Sequence, residues 1–250
     1  MSEPHKDIVI IGTLDTKGDE ISFLASQLQS LGVTTKIIDV GIGSTPQFQA
    51  DIGRDVVASK TASDIARLLV QANGKSKAMD AMALGAIAVL EELLGSGEVS
   101  GVMALGGGVG TWIGMKVLRS LPFGLPKIMI STLPFDIRSL MGAKDIMIFP
   151  SVTDILGLNP LLRKVLQNAA GAMSGMAQPL ELSPTSARVI AVTALGVTTP
   201  LVNSCKNILE AKGFEVATFH GVGMGGKIFE EWVQTGLFTG VLDLTPHDIN

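Results

Sequence analysis

The stretch 101-GVMALGGGVGTWIGMKVLR-119 decides the fold. Val102–Leu105 is a short apolar run, Gly106-Gly107-Gly108-Val109-Gly110-Thr111 interrupts it, and apolar residues then resume at helical spacing through Lys116 and Arg119. The order is strand, glycine loop, helix. Glycine admits positive φ and lets a ligand approach the backbone closely. The first turn of the following helix, expected from Thr111, points unpaired N–H groups into the loop, where an anion is favoured. Gly106, Gly107, Gly108, Gly110 and Thr111 are therefore candidates to hold a phosphate or carboxylate. The spacing departs from the dinucleotide fingerprint G-x-G-x-x-G, because Thr111 stands where the third glycine belongs. A tight turn without a ligand is the competing reading.

Working outward, Ile8–Ile11 is a β-branched run suited to a buried parallel strand. GTLDTKGDE (Gly12–Glu20) follows, with Thr16 and Asp19 spaced as a capping box for a helix over Lys17–Leu31, and Thr35–Val40 reads as a second strand. Strand, helix, strand in this span is a parallel βαβ unit. Residues 41–58 look irregular; helices are expected over Ser63–Gln71 and Lys77–Leu94, strands over Lys127–Ser131 and Asp145–Phe149, and a helix from Pro160 to Met176. Residues 178–187, with Pro179 and Pro184, lack apolar periodicity and read as a linker. Beyond it come strands at Val189–Val192, Glu215–Phe219 and Val241–Leu244, alternating with helices at Thr199–Lys212 and Lys227–Gln234. The predicted architecture is α/β. A Rossmann-like parallel-sheet domain flanked by helices (residues 1–177) precedes a second, incomplete α/β unit (188–250) with a sheet edge left to cover.

Composition narrows the function. Apolar residues make up 46% of the 250, charged residues 17% and aromatics 4%, and the net charge is −4. Nucleic-acid binding needs positive surface and is disfavoured. Cys205 is the only cysteine, the first residues carry no signal pattern, and no apolar run reaches the ~20 residues a membrane span needs. The expectation is a cytoplasmic protein with no membrane partner.

Several motifs carry chemistry, each beside a plainer alternative. Lys17 can meet a phosphate as a point charge, the amides from Thr16 onward can join it, and Asp15 can meet Mg²⁺ or a ribose hydroxyl; the alternative is ordinary loop charges. Asp39, ending the second strand, is either a ribose acceptor or the cap of a turn. Gly221, Gly223, Gly225, Gly226 and Lys227 fit G-x-x-x-x-G-K, but Ile228 replaces the Ser or Thr that would hold Mg²⁺, so the segment reads as a second anion loop and not as a working NTPase loop. Ser131-Thr132 and Ser151–Asp154 follow strands, where ligands meet the carboxyl ends of a parallel sheet; Asp154 is a candidate base or metal ligand, or a cap. His5, His220 and His247 are scattered, which argues against a zinc site; His220, next to the second glycine loop, is the histidine worth testing.

GTLDTKGDE, IDVG, LGGGVGT, LPFGLPKIMIST, FPSVTDILGLN with NAAGAMSGMA, FHGVGMGGK and GVLDLT occur together and in order. Taken as a set, they resemble the ATP-binding family typified by the N-terminal part of a plant tobamovirus-resistance (Tm-type) protein, whose bacterial members form an uncharacterised protein family. The resemblance covers nearly the whole chain. It implies two α/β domains, ATP in the first and a homodimer. It puts Asp15, Thr16, Lys17 and Gly106–Thr111 at the nucleotide, with Thr132 and Asp154 close by. Any Mg²⁺ would arrive with ATP, at Asp15 or Asp154. Two departures stand out. Pro134-Phe135-Asp136 replaces the family's small Ala-Ser-Gly turn, and the family's second domain continues beyond the segment present here. The alternatives to a nucleotide-binding protein are an enzyme acting on a phosphorylated or carboxylated small molecule, with Asp154 or His220 as acid–base and Lys227 or Lys17 as anion clamp, and a dimeric interaction scaffold.

Overall fold

The computed structural model describes residues 6–62, 64–71, 73–134, 136, 138–178 and 188–246. The chain divides into two compact units, residues 1–179 and 180–250. The expected linker lies outside the described residues apart from Gln178, as do His5, His247 and Phe135.

Unit 1 is built on β1 (Asp7–Gly12), β2 (Thr35–Asp39), β3 (Val99–Gly106), β4 (Lys127–Ser131) and β5 (Met147–Pro150), all parallel in the order β2-β1-β3-β4-β5. Its helices are α1 (Leu14–Ser30), α2 (Arg54–Ser59), α3 (Ile65–Leu69), α4 (Gly74–Gly95), α5 (Gly108–Ser120), α6 (Arg138–Met141) and α7 (Pro160–Met176). Alternation along β1 sends side chains to both faces. Ile8 and Ile10 pack with Ile21, Leu24 and Leu28 of α1 and Leu162, Leu166 and Met173 of α7. Val9 and Ile11 pack with Met82, Ala86 and Leu90 of α4 and Ile113 and Val117 of α5. A sheet covered on both faces explains why its strands are near-continuous apolar runs.

Two differences from the sequence reading bear on the site. α1 begins at Leu14 with Thr13 as N-cap, and the expected Thr16/Asp19 capping box does not form. Instead the Thr16 hydroxyl meets Thr13 Oγ1 (2.9 Å), Asp19 N donates to Gln47 Oε1 (3.1 Å), and the helix kinks at Lys17 (φ −131°, ψ 22°). Similarly, α5 begins at Gly108, not Thr111. Weak helix propensity at the glycines hid its first turn. The span 41–58, expected to be irregular, ends in α2, which runs on to Ser59.

Unit 2 contains β6 (Arg188–Ala194), a 3₁₀ turn (Gly196–Thr198), α8 (Thr199–Ala211), β7 (Phe214–His220), α9 (Met224–Val233) and β8 (Gly240–Leu242). Its sheet is parallel in the order β7-β6-β8. Ile190, Val192 and Val202 form a small core on one face. On the other, Phe219 makes edge-to-face pairs with Phe229 and Phe238 at centroid distances of 5.5 and 5.7 Å. Among the described residues of the chain, no helix is long and apolar enough to cross a membrane.

Candidate functional site

The winding of unit 1 reverses between β1 and β3. β1 leads through α1 to β2 on one side, and β3 leads through α5 to β4 on the other, with the two helices on opposite faces. The loops leaving these strands therefore diverge and open a crevice at the carboxyl end of the sheet, where open α/β folds take ligands.

The loop after β1 is internally satisfied. Leu14 N donates to Asp39 Oδ1 (3.0 Å), and Thr16 N and Lys17 N donate to the Thr13 carbonyl (3.1 and 2.8 Å). Lys17 Nζ donates to the Ile155 carbonyl in the segment between β5 and α7. These amides and this cation, expected at a phosphate, are engaged elsewhere. Asp39 is buried, and its Oδ1 accepts both Leu14 N and Gly41 N (2.8 Å), so it caps a turn. Burial raises its carboxyl above the ordinary value, and the two amides partly offset this; Asp15 nearby raises it further. Asp15 Oδ2 accepts Gly43 N (2.8 Å). A Cβ at Gly41 would lie 3.0 Å from Oδ1 of both Asp15 and Asp39, so the backbone threads between two carboxylates.

The loop after β3 is different. Gly107 is the N-cap of α5 (φ −79°, ψ −146°), and Thr111 N already donates to its carbonyl (2.7 Å). The Thr111 hydroxyl is buried, donating to the Gly106 carbonyl (3.0 Å) and pairing with Ser131 Oγ (2.7 Å). Thr111 thus braces β4 and presents no group to a ligand. The amides of Gly108, Val109 and Gly110 remain as the first-turn donors without intrahelical partners. Gly106 and Gly110 are required by packing: a Cβ at Gly106 would sit 2.5 Å from Gly110 Cα, and one at Gly110 2.9 Å from the Leu105 carbonyl oxygen. A Cβ at Gly108 would meet nothing within 4 Å, so that position faces open space.

These loops line a cleft of about 510 Å³ with Thr13, Asp15 and Thr16 on one side, Val109 on another, and Ile42, Gly43, Leu69 and Lys75 completing it. Lys75, exposed in the first turn of α4, is the cation that sequence reading missed. Its signal was the turn dipeptide Asn73-Gly74, which opens α4 three residues before the helix was expected. A second cleft of about 380 Å³ shares Ile42, Gly43 and Leu69 and adds Arg54, Asp55 and Asp64. Thr132 and Asp154 line a third, of about 540 Å³, at the ends of β4 and β5. Gly107 lies beside it, its Cβ position 4.0 Å from Thr132 Oγ1.

The second glycine loop belongs to unit 2. α9 begins at Met224, ahead of the expected Lys227, with Gly223 at φ 60° as N-cap. Gly221 and Gly225 are packing glycines: their Cβ positions lie 3.2 Å from Thr245 and 2.2 Å from the His220 carbonyl oxygen. Gly226 and Lys227 fall inside the first helical turns, and the side chains of His220 and Lys227 are exposed. Among the described residues, no three His, Cys, Asp or Glu side chains stand together as a metal-binding group.

A parallel sheet wound both ways, with an open helix start at its switch point, defines a doubly wound, Rossmann-like α/β protein. The chain belongs to the uncharacterised protein family UPF0261, whose N-terminal domain matches residues 6–181 and whose C-terminal domain matches 187–250. A UPF0261 protein of Clostridium tetani is 39% identical over 243 residues, covering 96% of this chain and 60% of that protein. One from Rhizobium meliloti is 37% identical over 245 residues, covering 98% of this chain and 60% of that protein. The tomato (Solanum lycopersicum) ToMV resistance protein Tm-1(GCR237) is 34% identical over 266 residues, covering 97% of this chain and 35% of that protein. The chain thus spans 60% of the length of these bacterial relatives. Among solved structures, a UDP-GlcNAc 2-epimerase from Neisseria meningitidis bound to UDP-GlcNAc aligns over 97% of this chain and 73% of its own, with 12% identity and a TM-score of 0.38, a likeness too slight to inform the site.

Proposed function

We propose that unit 1 binds a nucleotide, ATP, with its phosphates against the start of α5. The observation that carries this is the start of α5, where the amides of Gly108, Val109 and Gly110 lack intrahelical partners, a Cβ at Gly108 would meet nothing within 4 Å, and Val109 lines the cleft that holds Lys75. Hydrogen bonds from amide N–H groups to a charged group contribute roughly 1.5–3 kcal/mol each. Three of them with one ammonium, less the ordering cost, are consistent with micromolar affinity, about −8 kcal/mol. Lys75 takes the role first assigned to Lys17. Asp15 is the carboxylate in the same cleft, and a Mg²⁺ brought in with the nucleotide would screen it from the phosphates. The adjoining cleft with Arg54 and Asp64 leaves room for the nucleoside. Family resemblance extends the proposal to a cytoplasmic homodimer, which sedimentation velocity tests.

Calorimetric titration with ATP and Mg²⁺ tests the site. Wild type binds in the micromolar range. Gly108→Val and Lys75→Met each weaken binding at least tenfold with little change in thermal midpoint. Absence of binding to wild type, or equal binding by folded Gly108→Val, overturns the reading.

A further inference from the structure

The third cleft, between the ends of β4 and β5, differs from the first in chemistry. Its lining is Ser131, Thr132, Ser151, Thr153 and Asp154 with Pro150 and Val152: hydroxyls and one carboxylate, with no lysine or arginine among the described residues. Most of its polar side-chain atoms are engaged. Ser131 Oγ pairs with Thr111 and accepts Leu133 N (2.9 Å), Ser151 Oγ donates to the Thr153 carbonyl, and Thr153 Oγ1 accepts Asn159 Nδ2 (3.1 Å) and donates to the Asp154 carbonyl (3.2 Å). Thr132 Oγ1 and the Asp154 carboxylate have no hydrogen-bond partner among the described residues, and both face the cleft.

The walls are also held in unusual conformations. Leu133 (φ 50°) and Val152 (φ 67°) are non-glycine residues in the left-handed region, one in each loop, and a β-branched residue there is strained. Such strain persists only where its surroundings over-determine it, and it concentrates at ligand sites. The restraints are visible here. Ser151 N donates to the Ser131 carbonyl (2.9 Å), Lys17 Nζ holds the Ile155 carbonyl, and the buried Glu20 accepts Gly157 N at Oε1 (2.8 Å).

We infer that this cleft is a binding site for a neutral, polyhydroxylated small molecule of the sugar or polyol class. A carboxylate without a cation partner repels anions but accepts two hydroxyl donors, and Thr132 Oγ1 can both donate and accept. The ligand then lies beside the N-cap of α5, next to the anion proposed there. The two proposals fail separately, because ATP binding is measured without the polyol and polyol binding without ATP.

Saturation-transfer NMR on the full chain, with myo-inositol, D-ribose and D-glucose as probes, tests the site. At least one probe receives transfer from wild type, and the signal falls at least fivefold in Asp154→Asn and in Thr132→Val. Circular dichroism melts check that both variants fold; should Thr132→Val melt early, Asp154→Asn decides, since its side chain is exposed. No transfer to any probe from wild type, or undiminished transfer in the folded variants, overturns the assignment. So does displacement of the probe by inorganic phosphate that strengthens in Asp154→Asn, because it would show the cleft to be an anion site.

Discussion

In unit 1 the glycine loop follows β3, one of the two strands that flank the switch; in unit 2 it follows β7, at the edge of the sheet. The units otherwise share a plan, with the first strand central and the second and third on either side, as β2-β1-β3 and β7-β6-β8. At the central positions of unit 2 the strand ends are tied together. Thr193 Oγ1 donates to Asp243 (2.6 Å), and the Thr198 hydroxyl receives Leu195 N (2.9 Å) and pairs with Thr245 (2.8 Å). Glycines therefore serve two purposes in one chain. At Gly221 and Gly225 they let backbone elements approach, whereas at Gly108 the missing side chain leaves a helix start uncovered. Each loop holds both kinds, since Gly106 and Gly110 pack as Gly221 and Gly225 do and a Cβ at Gly223, like one at Gly108, would meet nothing within 4 Å; what separates the two loops is their position in the winding.

Substitutions can break this contrast. The largest effect is expected at Gly106→Val, whose Cβ meets backbone at 2.5 Å, while the Cβ of Gly108→Val meets nothing within 4 Å. Chemical denaturation should show a loss of about 3 kcal/mol or more for the first and within about 0.5 kcal/mol for the second. Similar losses at both sites would abolish the distinction between packing and open glycines.

Next is Asp39. Asp39→Ala strands two buried amides and costs about 2–3 kcal/mol, whereas Asp39→Asn keeps an Oδ1 for both. The sign follows from its raised carboxyl. The folded state holds the proton more tightly, so wild-type stability falls as pH rises from the ordinary carboxylate value through the raised folded one. Asp39→Asn lacks that loss. Its advantage over wild type is largest at neutral pH and closes as pH falls through the folded value, in denaturation curves taken across pH.

Gly223→Ala sharpens the comparison from the other side. At φ 60° and ψ −127°, a conformation outside the left-handed helical region, an alanine costs about 1–3 kcal/mol, and with the nucleotide at the proposed α5 site ATP affinity is unchanged. Weakened ATP binding there would implicate the second loop. The smallest effects concern ion pairs. Lys116 joins Asp80 across α5 and α4, while Lys206 and Glu210 (3.6 Å) lie on one helix. Lys116→Met should cost under about 1 kcal/mol and Lys206→Met under about 0.5 kcal/mol at neutral pH. The hydrogen bond from Lys116 lowers the Asp80 carboxyl, so that contribution is present above the ordinary carboxylate value and is lost as pH falls through the depressed one.

The winding was largely legible, because β-branched runs and amphipathic spacing report burial directly. β1 to β4 and α7 fall where the pattern put them, and Asn159 caps α7 ahead of Pro160 as helix starts require. The site was legible only in part. Gly106–Gly110 could be located, but which glycines pack and which lie open depends on neighbours such as Leu105 that no local pattern reveals. Lys17 looked free because its partner, the Ile155 carbonyl, lies 138 residues away in sequence. Lys75 carries no local signal of the cleft, because it reaches it on α4, outside the βαβ unit.

The first two turns of α1 form part of two walls. Asp15 and Thr16 line one cleft, while Lys17 and Glu20 grip the carbonyl of Ile155 and the amide of Gly157, in the segment that forms the other. Were both clefts occupied, any coupling carried by those shared turns would have to be mutual, each occupant changing the other's affinity by the same factor, readable from a four-sided titration cycle.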